Sequence, residues 1–197
     1  MFMAGCGADQ NPLPRREVAL AQEYGRLLAE AVETVLEGEM EPVSAKLATA
    51  FEFVDIEFGQ QPTIEELKAT AAGKLEYKAR WAKRLMGIIE SGKTFEKSYR
   101  YPLQVWKLGG EYTLISMGGE VVVDYSLMFT DKYGPKTWVA GYTNDVMAYI
   151  PSHRIWTEGG YESGAFAVYG LPATRWEEGI EEKISDGVAR MVDKLNR

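Results

Sequence analysis

Apolar residues recur along this chain in two alternating patterns, and each pattern predicts a different element. Between residues 15 and 37 they fall three and four positions apart, which predicts one face of a helix. Pro14 suits the first turn of that helix and Gly38 the position just after its end. Residues 43–58 instead alternate Val54 and Ile56 with charged residues, which predicts a strand.

The next segments repeat this alternation of helix and strand. Thr63 and Glu66 form a capping signature that predicts a helix start, and a second helix is predicted over residues 74–90. The basic residues of that second helix fit a solvated face better than a lipid-binding one. Residues 99–108 and 112–117 predict two strands joined by a tight turn at Gly109 and Gly110.

The C-terminal third carries weaker signals. Val122, Tyr125, Phe129 and Tyr133 keep helical spacing, so we predict a helix with Glu120 in its first turn. A strand over residues 137–142 and a loop over residues 144–152 should follow. A second capping signature at Thr174 predicts a final helix whose apolar stripe begins at Trp176 and ends at Leu195.

These elements together predict an α/β fold in one domain, residues 1–197, with a layered arrangement of helices around a mixed β-sheet. The sheet should be mixed because a hairpin sits among helical crossovers. With 197 residues, 46% of them apolar, the chain can bury one sizeable core. Residues 1–4 are expected to be the end of a strand whose beginning is missing, which fits a truncated start.

Charge and composition narrow the possible partners. A net charge of −7 opposes binding to nucleic acid, which relies on clustered Lys and Arg. No apolar run approaches the roughly 18 residues that a membrane span needs, so no transmembrane segment is expected. Cys6 is the only cysteine, which excludes an internal disulfide. Residues 1–6 superficially resemble a lipoprotein cleavage site, but they lack a basic region and a hydrophobic stretch.

Three glycine-containing pieces carry the candidate chemistry: GGEVVVDYS at residues 118–126, GYTNDVMAYIPS at 141–152 and EGGYESGAFAVYG at 158–170. Each places glycine at an expected strand end and then offers an oxygen donor, namely Glu120, Tyr149 or Tyr161. A plainer interpretation exists for each type, because a carboxylate in a first helical turn commonly meets backbone amides and a loop tyrosine commonly packs. His153 is the only histidine and has the ring nitrogen that zinc prefers.

The order of these three motifs resembles the neutral/alkaline non-lysosomal ceramidase family, in particular its bacterial branch. The resemblance implies zinc-dependent hydrolysis of the amide bond of N-acyl-sphingoid lipids. It implies that Glu120 and Tyr149 are metal ligands and that Tyr161 is a catalytic tyrosine that hydrogen-bonds the substrate near the zinc. The family's histidine ligands do not map to His153.

No motif matches those two histidine ligands, which in the family lie upstream of all that is seen here. The resemblance therefore implies that the chain is the C-terminal portion of a catalytic domain whose missing N-terminal segment is its partner. The chain alone is expected to be inactive. The family is generally secreted or periplasmic, although nothing in this sequence shows a signal peptide.

A further loop, GCGADQNPLPRR at residues 5–16, resembles the family loop that holds an active-site serine. Gln10 stands near that serine's position, and glutamine can neither act as a nucleophile nor titrate. Asp9, Gln10 and Asn11 are thus weak candidates for substrate binding, with a purely structural turn as the alternative. Gln10 also favours a rival function, a non-catalytic binding or assembly domain on the same scaffold.

Overall fold

The structure, a computed structural model, describes residues 2–197 and contains eight helices and six strands within them. The helices are α1 Val18–Glu37, α2 Ile64–Ala71, α3 Glu76–Glu90, α4 Val123–Tyr133, α5 His153–Glu158, α6 Tyr161–Gly164, α7 Phe166–Tyr169 and α8 Ile180–Leu195. The strands are β1 Leu47–Glu57, β2 Ser98–Leu108, β3 Tyr112–Met117, β4 Glu120–Val121, β5 Thr137–Ala140 and β6 Tyr149–Ile150.

A four-stranded mixed sheet forms the centre of the fold, in the order β1-β2-β3-β5. β1 and β2 are antiparallel along their whole length, from the pair Leu47 and Leu108 onwards. β2 and β3 form the predicted hairpin around Gly109 and Gly110, both at positive φ. β3 and β5 are parallel and are connected through α4. The predicted α/β fold, a mixed sheet flanked by helices, is confirmed.

One face of this sheet is covered by α8. Alternate residues of β1 and β2 point toward that helix and are buried, as period-two alternation requires. Gly187 lets the helix approach closely, because a Cβ there would lie 2.8 Å from Val54 Cγ2 and 2.9 Å from Leu103 Cδ1. The helix contributes these buried residues to the core: Ile180, Ile184, Val188, Met191 and Val192.

The opposite face of the sheet is largely open. The register places Phe51, Phe53 and Trp138 on that face, and they are 46%, 48% and 50% exposed. The helix α1 is equally uncovered, because none of its residues is buried although its apolar stripe is the predicted one. Two apolar surfaces thus remain exposed in the described part of the chain, and we refer to the first as the open sheet face.

A second, smaller core lies between α2 and α3, where Leu67, Trp81, Ala82 and Leu85 are buried together. The predicted capping box at Thr63 is confirmed, with both reciprocal hydrogen bonds to Glu66 formed. α3 also contacts α7, and thereby connects this small core to the segment that carries Tyr169.

Several predicted boundaries are wrong, and local backbone geometry explains them. α1 begins at Val18 and not near Pro14, because Arg16 adopts a positive φ of 79° that interrupts a helical path. Gly38 is extended and does not take the left-handed conformation expected after a helix end. Phe2–Ala4 form no strand, and Met1 lies outside the described residues.

The final helix begins at Ile180 and not at Thr174. Gly179 has a φ of 88° and precedes the first residue of the helix. Trp176 lies before the helix and forms an isolated β-bridge with Phe58, the residue that follows β1. Trp176 is fully buried and stacks on Phe58, with ring centroids 5.2 Å apart. Burial of this large ring within the main core explains why the segment leaves helical geometry. None of the helices within residues 2–197 is long and apolar enough for a membrane crossing.

Candidate functional site

Glu120 lies in the short strand β4, which pairs in parallel with β6 so that Glu120 stands opposite Tyr149. Our prediction that Glu120 lies in a first helical turn is therefore wrong, because α4 starts at Val123. The Glu120 backbone N–H donates to the Ala148 carbonyl at 2.8 Å. Gly119 permits this close approach, since it has a φ of 76° and a Cβ there would lie 2.7 Å from the Ala148 oxygen.

Glu120 and Tyr149 lie side by side in the fold, although 29 positions separate them in the sequence. The residues 144–152, expected to be a loop, contain β6, and this pairing brings the two side chains together. Both follow strands β3 and β5, which are parallel neighbours, and side chains that follow such strands gather at one edge of a sheet.

Three tyrosines interact with the Glu120 carboxylate, and a fourth, Tyr161, packs against one of them. The Tyr169 hydroxyl donates to Glu120 Oε1, and the hydroxyls of Tyr142 and Tyr149 also interact with this carboxylate. The Tyr161 ring meets the Tyr149 ring edge-on, with centroids 5.5 Å apart. We call these five residues the tyrosine–glutamate cluster. It brings together all three residues that the resemblance singles out as metal ligands or catalytic groups.

The electrostatics of the cluster raise the pKa values of three of its phenols, those of Tyr142, Tyr149 and Tyr169. Burial, followed by the nearby Glu120 carboxylate, raises the pKa of Tyr149 to about 12. The same two causes raise the pKa values of Tyr142 and Tyr169. At neutral pH these hydroxyls are therefore proton donors, and the cluster presents one carboxylate ringed by donors.

Trp176 holds the backbone of this site in place from within the main core. Its indole Nε1 donates to the Tyr149 carbonyl at 2.8 Å, and its ring is fully buried between Phe58 and Phe166. The Trp156 indole in turn donates to the Trp176 carbonyl at 3.0 Å. The packing of Trp176 in the main core therefore helps to fix the backbone position of β6.

Tyr161 is the most accessible member of the cluster, at 56% exposure. It begins the short helix α6 directly after Gly159 and Gly160, which both have positive φ. The third glycine motif thus follows the helix α5 and not a strand end, contrary to expectation. An exposed phenol at the edge of the cluster can reach a ligand that enters from solvent.

The loop of Asp9, Gln10 and Asn11 has a structural role in the fold. The Asp9 carboxylate Oδ1 accepts from the Val123 backbone N–H at 2.9 Å, which caps α4 from a point 114 residues away in sequence. The Gln10 N–H donates to the Gly7 carbonyl at 3.0 Å and closes the turn. The side chains of Gln10 and Asn11 are exposed. These contacts favour the structural-turn alternative for Asp9.

His153 is exposed at the start of α5, and its backbone N–H donates to Glu181 Oε2 at 2.8 Å. Within residues 2–197 there is no group of three or more His, Cys, Asp or Glu side chains placed to hold a metal ion. Glu120 and Tyr149 offer two oxygen donors that fit half of a four-ligand zinc site.

Two members of the cluster, Tyr142 and Tyr169, are absent from our sequence predictions. Tyr142 follows the end of β5, and its φ of 59° is unusual for a bulky residue, a kind of strain that concentrates at functional sites. The adjacent glycine, Gly141, was the available sequence signal. Tyr169 lies within the third glycine motif but is separated from Glu120 by 49 positions, so only the fold shows their contact.

Comparisons of this chain with protein-family models, curated proteins and solved structures found no match.

Proposed function

We propose that this chain supplies part of the active site of a zinc-dependent amidohydrolase that resembles the neutral ceramidases and cleaves the amide bond of N-acyl-sphingoid lipids. The observation that carries the proposal is the convergence of Glu120, Tyr149 and Tyr161 in one cluster. These are the positions that the motifs associate with metal binding and catalysis. In this cluster three phenols interact with one carboxylate, and a fourth packs beside them.

Glu120 and Tyr149 are the residues that would hold the metal. A catalytic zinc normally takes three protein ligands and a water molecule, so at least one further ligand must come from outside the chain. Two imidazoles from a separate segment satisfy this requirement. Zinc, when bound, polarises a carbonyl and lowers the pKa of its water toward neutrality.

The remaining phenols position the substrate and supply hydrogen bonds. Tyr161 is exposed and stands against Tyr149, so its hydroxyl can donate to a carbonyl oxygen as negative charge develops there. Tyr169 donates to Glu120 Oε1 and thereby orients the carboxylate. Because the pKa of Tyr169 is raised by burial and by Glu120, it keeps its proton at neutral pH and holds this role.

The open sheet face supports the participation of a second polypeptide segment. Here α8 covers one face of the mixed sheet, and large aromatic residues remain exposed on the other. The exposed Phe51, Phe53 and Trp138 and the uncovered apolar stripe of α1 are surfaces that a further layer would bury. The exposed Trp138 on this face belongs to β5, the strand that leads to Tyr142 of the cluster.

The same open face also favours the second candidate function, a non-catalytic binding or assembly domain. Gln10 stands where the family has a serine, and its exposed side chain offers no nucleophile. In this alternative the apolar face holds a protein partner and the cluster is a structural hydrogen-bond network. The two functions differ in whether zinc and amide hydrolysis depend on Glu120.

The test joins this chain to a segment that carries two histidines as candidate zinc ligands. We expect the joined protein to bind one zinc and to hydrolyse a fluorescent N-acyl-sphingosine. Glu120→Gln should abolish both properties. Tyr161→Phe should keep the zinc and lower kcat more than it raises KM, since an oxyanion donor acts mainly in the transition state.

Tyr133→Phe is the matched control, because the buried Tyr133 hydroxyl has no hydrogen-bond partner among the described residues and its removal should leave activity unchanged. A joined protein that folds, lacks zinc and leaves the amide intact would favour the assembly function. Unchanged turnover in Tyr161→Phe would reduce Tyr161 to a packing residue.

A further inference from the structure

A cavity of about 480 Å³ opens away from Glu120, between α3, the start of β2 and the segment that follows α7. Its volume lies in the range typical of small-molecule sites. The walls are mainly apolar, and the side chains that form them are Phe58, Leu85, Ile88, Phe95, Leu171 and Pro172. Such a lining favours a ligand with an aliphatic or aromatic body.

Two cations stand at this apolar cavity. Arg84 and Lys93 line it and are exposed, as is the single carboxylate Glu96. None of the three forms a salt bridge with another of residues 2–197, although exposed cations such as Arg26 and Arg154 do so. The guanidinium of Arg84 instead contacts the Gly170 carbonyl at the cavity wall. In a chain of net charge −7, the lining of this cavity carries two cations and one carboxylate.

The wall around these cations is held in place by the fold. Trp81, buried in the small core, donates its indole N–H to the Leu171 carbonyl at 2.7 Å. Leu85 is fully buried in the same core, and Phe58 is stacked on Trp176. The apolar part of the cavity is therefore preformed, and a ligand need not order it on binding.

We propose that this cavity binds an amphipathic anion, a molecule with one apolar chain or ring and one anionic head group. Arg84 and Lys93 bind the head group through charge-assisted hydrogen bonds, and the apolar walls receive the body. Arg84 exchanges its contact with the Gly170 carbonyl for the ligand. This site is separate from the cluster and requires neither zinc nor amide hydrolysis.

The test measures binding of decanoate to the whole chain by isothermal titration calorimetry at low ionic strength, below the concentration at which decanoate forms micelles. Decyltrimethylammonium, which has the same chain and the opposite charge, is the matched ligand control. We expect saturable binding of one decanoate and at least about tenfold weaker binding of the cation, since charge-assisted bonds favour only the anion. Equal affinity for both probes would overturn the proposal.

Two pairs of variants locate the binding. Arg84→Gln with Lys93→Gln should weaken decanoate binding about tenfold, whereas Lys78→Gln with Lys83→Gln on the same helix should not. Ile88→Trp should fill the cavity and block binding, whereas Ile89→Trp, at an exposed neighbouring position outside the cavity, should bind normally. Circular dichroism verifies the fold of each variant. Binding that survives Ile88→Trp in a folded protein would place the ligand elsewhere, for example on the open sheet face, and would contradict the inference.

Discussion

Replacing Trp176 with phenylalanine should weaken the core packing and the hydrogen bond that hold the candidate site in place. The substitution removes the indole N–H that donates to the Tyr149 carbonyl at 2.8 Å. It also leaves a void beside Phe58 and Phe166, which now pack against the larger ring. Both effects act on the backbone that holds Tyr149 opposite Glu120.

The loss of stability follows from these two contributions. A buried carbonyl without its donor costs about 1–3 kcal/mol. The void left when an indole becomes a phenyl ring costs about 1 kcal/mol, at roughly 24 cal/mol per Å³ of cavity that is not refilled. We expect Trp176→Phe to lower the free energy of unfolding by about 2–4 kcal/mol in total.

Urea denaturation followed by circular dichroism measures this change, and the slope m should stay constant. Trp138→Phe is the matched control, because Trp138 is 50% exposed and makes no comparable core contact, so its change should stay within about 0.5 kcal/mol. If Trp176→Phe were as stable as Trp138→Phe, the claim that the core positions β6 through this indole would be refuted.

Three further predictions concern the same region. Asp9→Ala should lower the free energy of unfolding by about 0.5–2 kcal/mol, because it removes the acceptor of the Val123 N–H at the start of α4. Asp9→Asn should lower it less, and equal values for the two variants in urea denaturation would contradict the capping role. Gly119→Ala should lower the free energy of unfolding by more than about 1 kcal/mol, since φ is positive at residue 119 and a Cβ there would clash with the Ala148 carbonyl. An unchanged urea midpoint would show that the turn relaxes freely. Burial and Glu120 raise the pKa of Tyr149 from 10.0 to about 12, so its contribution to stability is fully present below pH 10 and is lost as the pH rises through about 12. Glu120→Gln should therefore lower the pKa of Tyr149. The pKa is measured from the phenolate absorbance that disappears in Tyr149→Phe, and an unchanged titration of Tyr149 in Glu120→Gln would argue against contact between Glu120 and Tyr149.

The regular parts of the fold were predictable because local signals and tertiary contacts agree there. The Thr63 capping box, the Gly109–Gly110 hairpin and the two long strands around it each have a residue pattern that leaves few alternatives. The amphipathic stripe of α1 was also predictable. Its lack of buried residues was not, because periodicity predicts an apolar face without saying what covers that face.

The wrong boundaries occur where distant packing decides the backbone. Trp176 fits a helical stripe by spacing, yet its burial against Phe58 pulls it out of the final helix, which starts only after Gly179. Residues with helical spacing follow Glu120, yet its pairing with Tyr149 makes it part of a strand two residues long. No local pattern identifies a two-residue strand whose partner is 29 positions away.

The sequence motifs made only part of the candidate site predictable. The glycine motifs identified Glu120, Tyr149 and Tyr161, and the fold brings them together. Tyr142 and Tyr169 join them only through the conformation of residues 141–142 and the position of α7, which depend on tertiary packing. The loop residue Asp9 carried a binding prediction, but its carboxylate is used to cap α4.

The most direct test of the central claim, that this chain holds only part of a zinc site, is the zinc content of purified residues 1–197 measured together with N-acyl-sphingosine hydrolysis. The account predicts neither stoichiometric zinc nor hydrolysis, because Glu120 and Tyr149 are two donors where a catalytic zinc needs three protein ligands. The raised pKa of Tyr149 opposes phenolate formation unless a metal is already held. Stoichiometric zinc with hydrolysis in this chain alone, both abolished by His153→Ala, would contradict the account and make His153 a ligand.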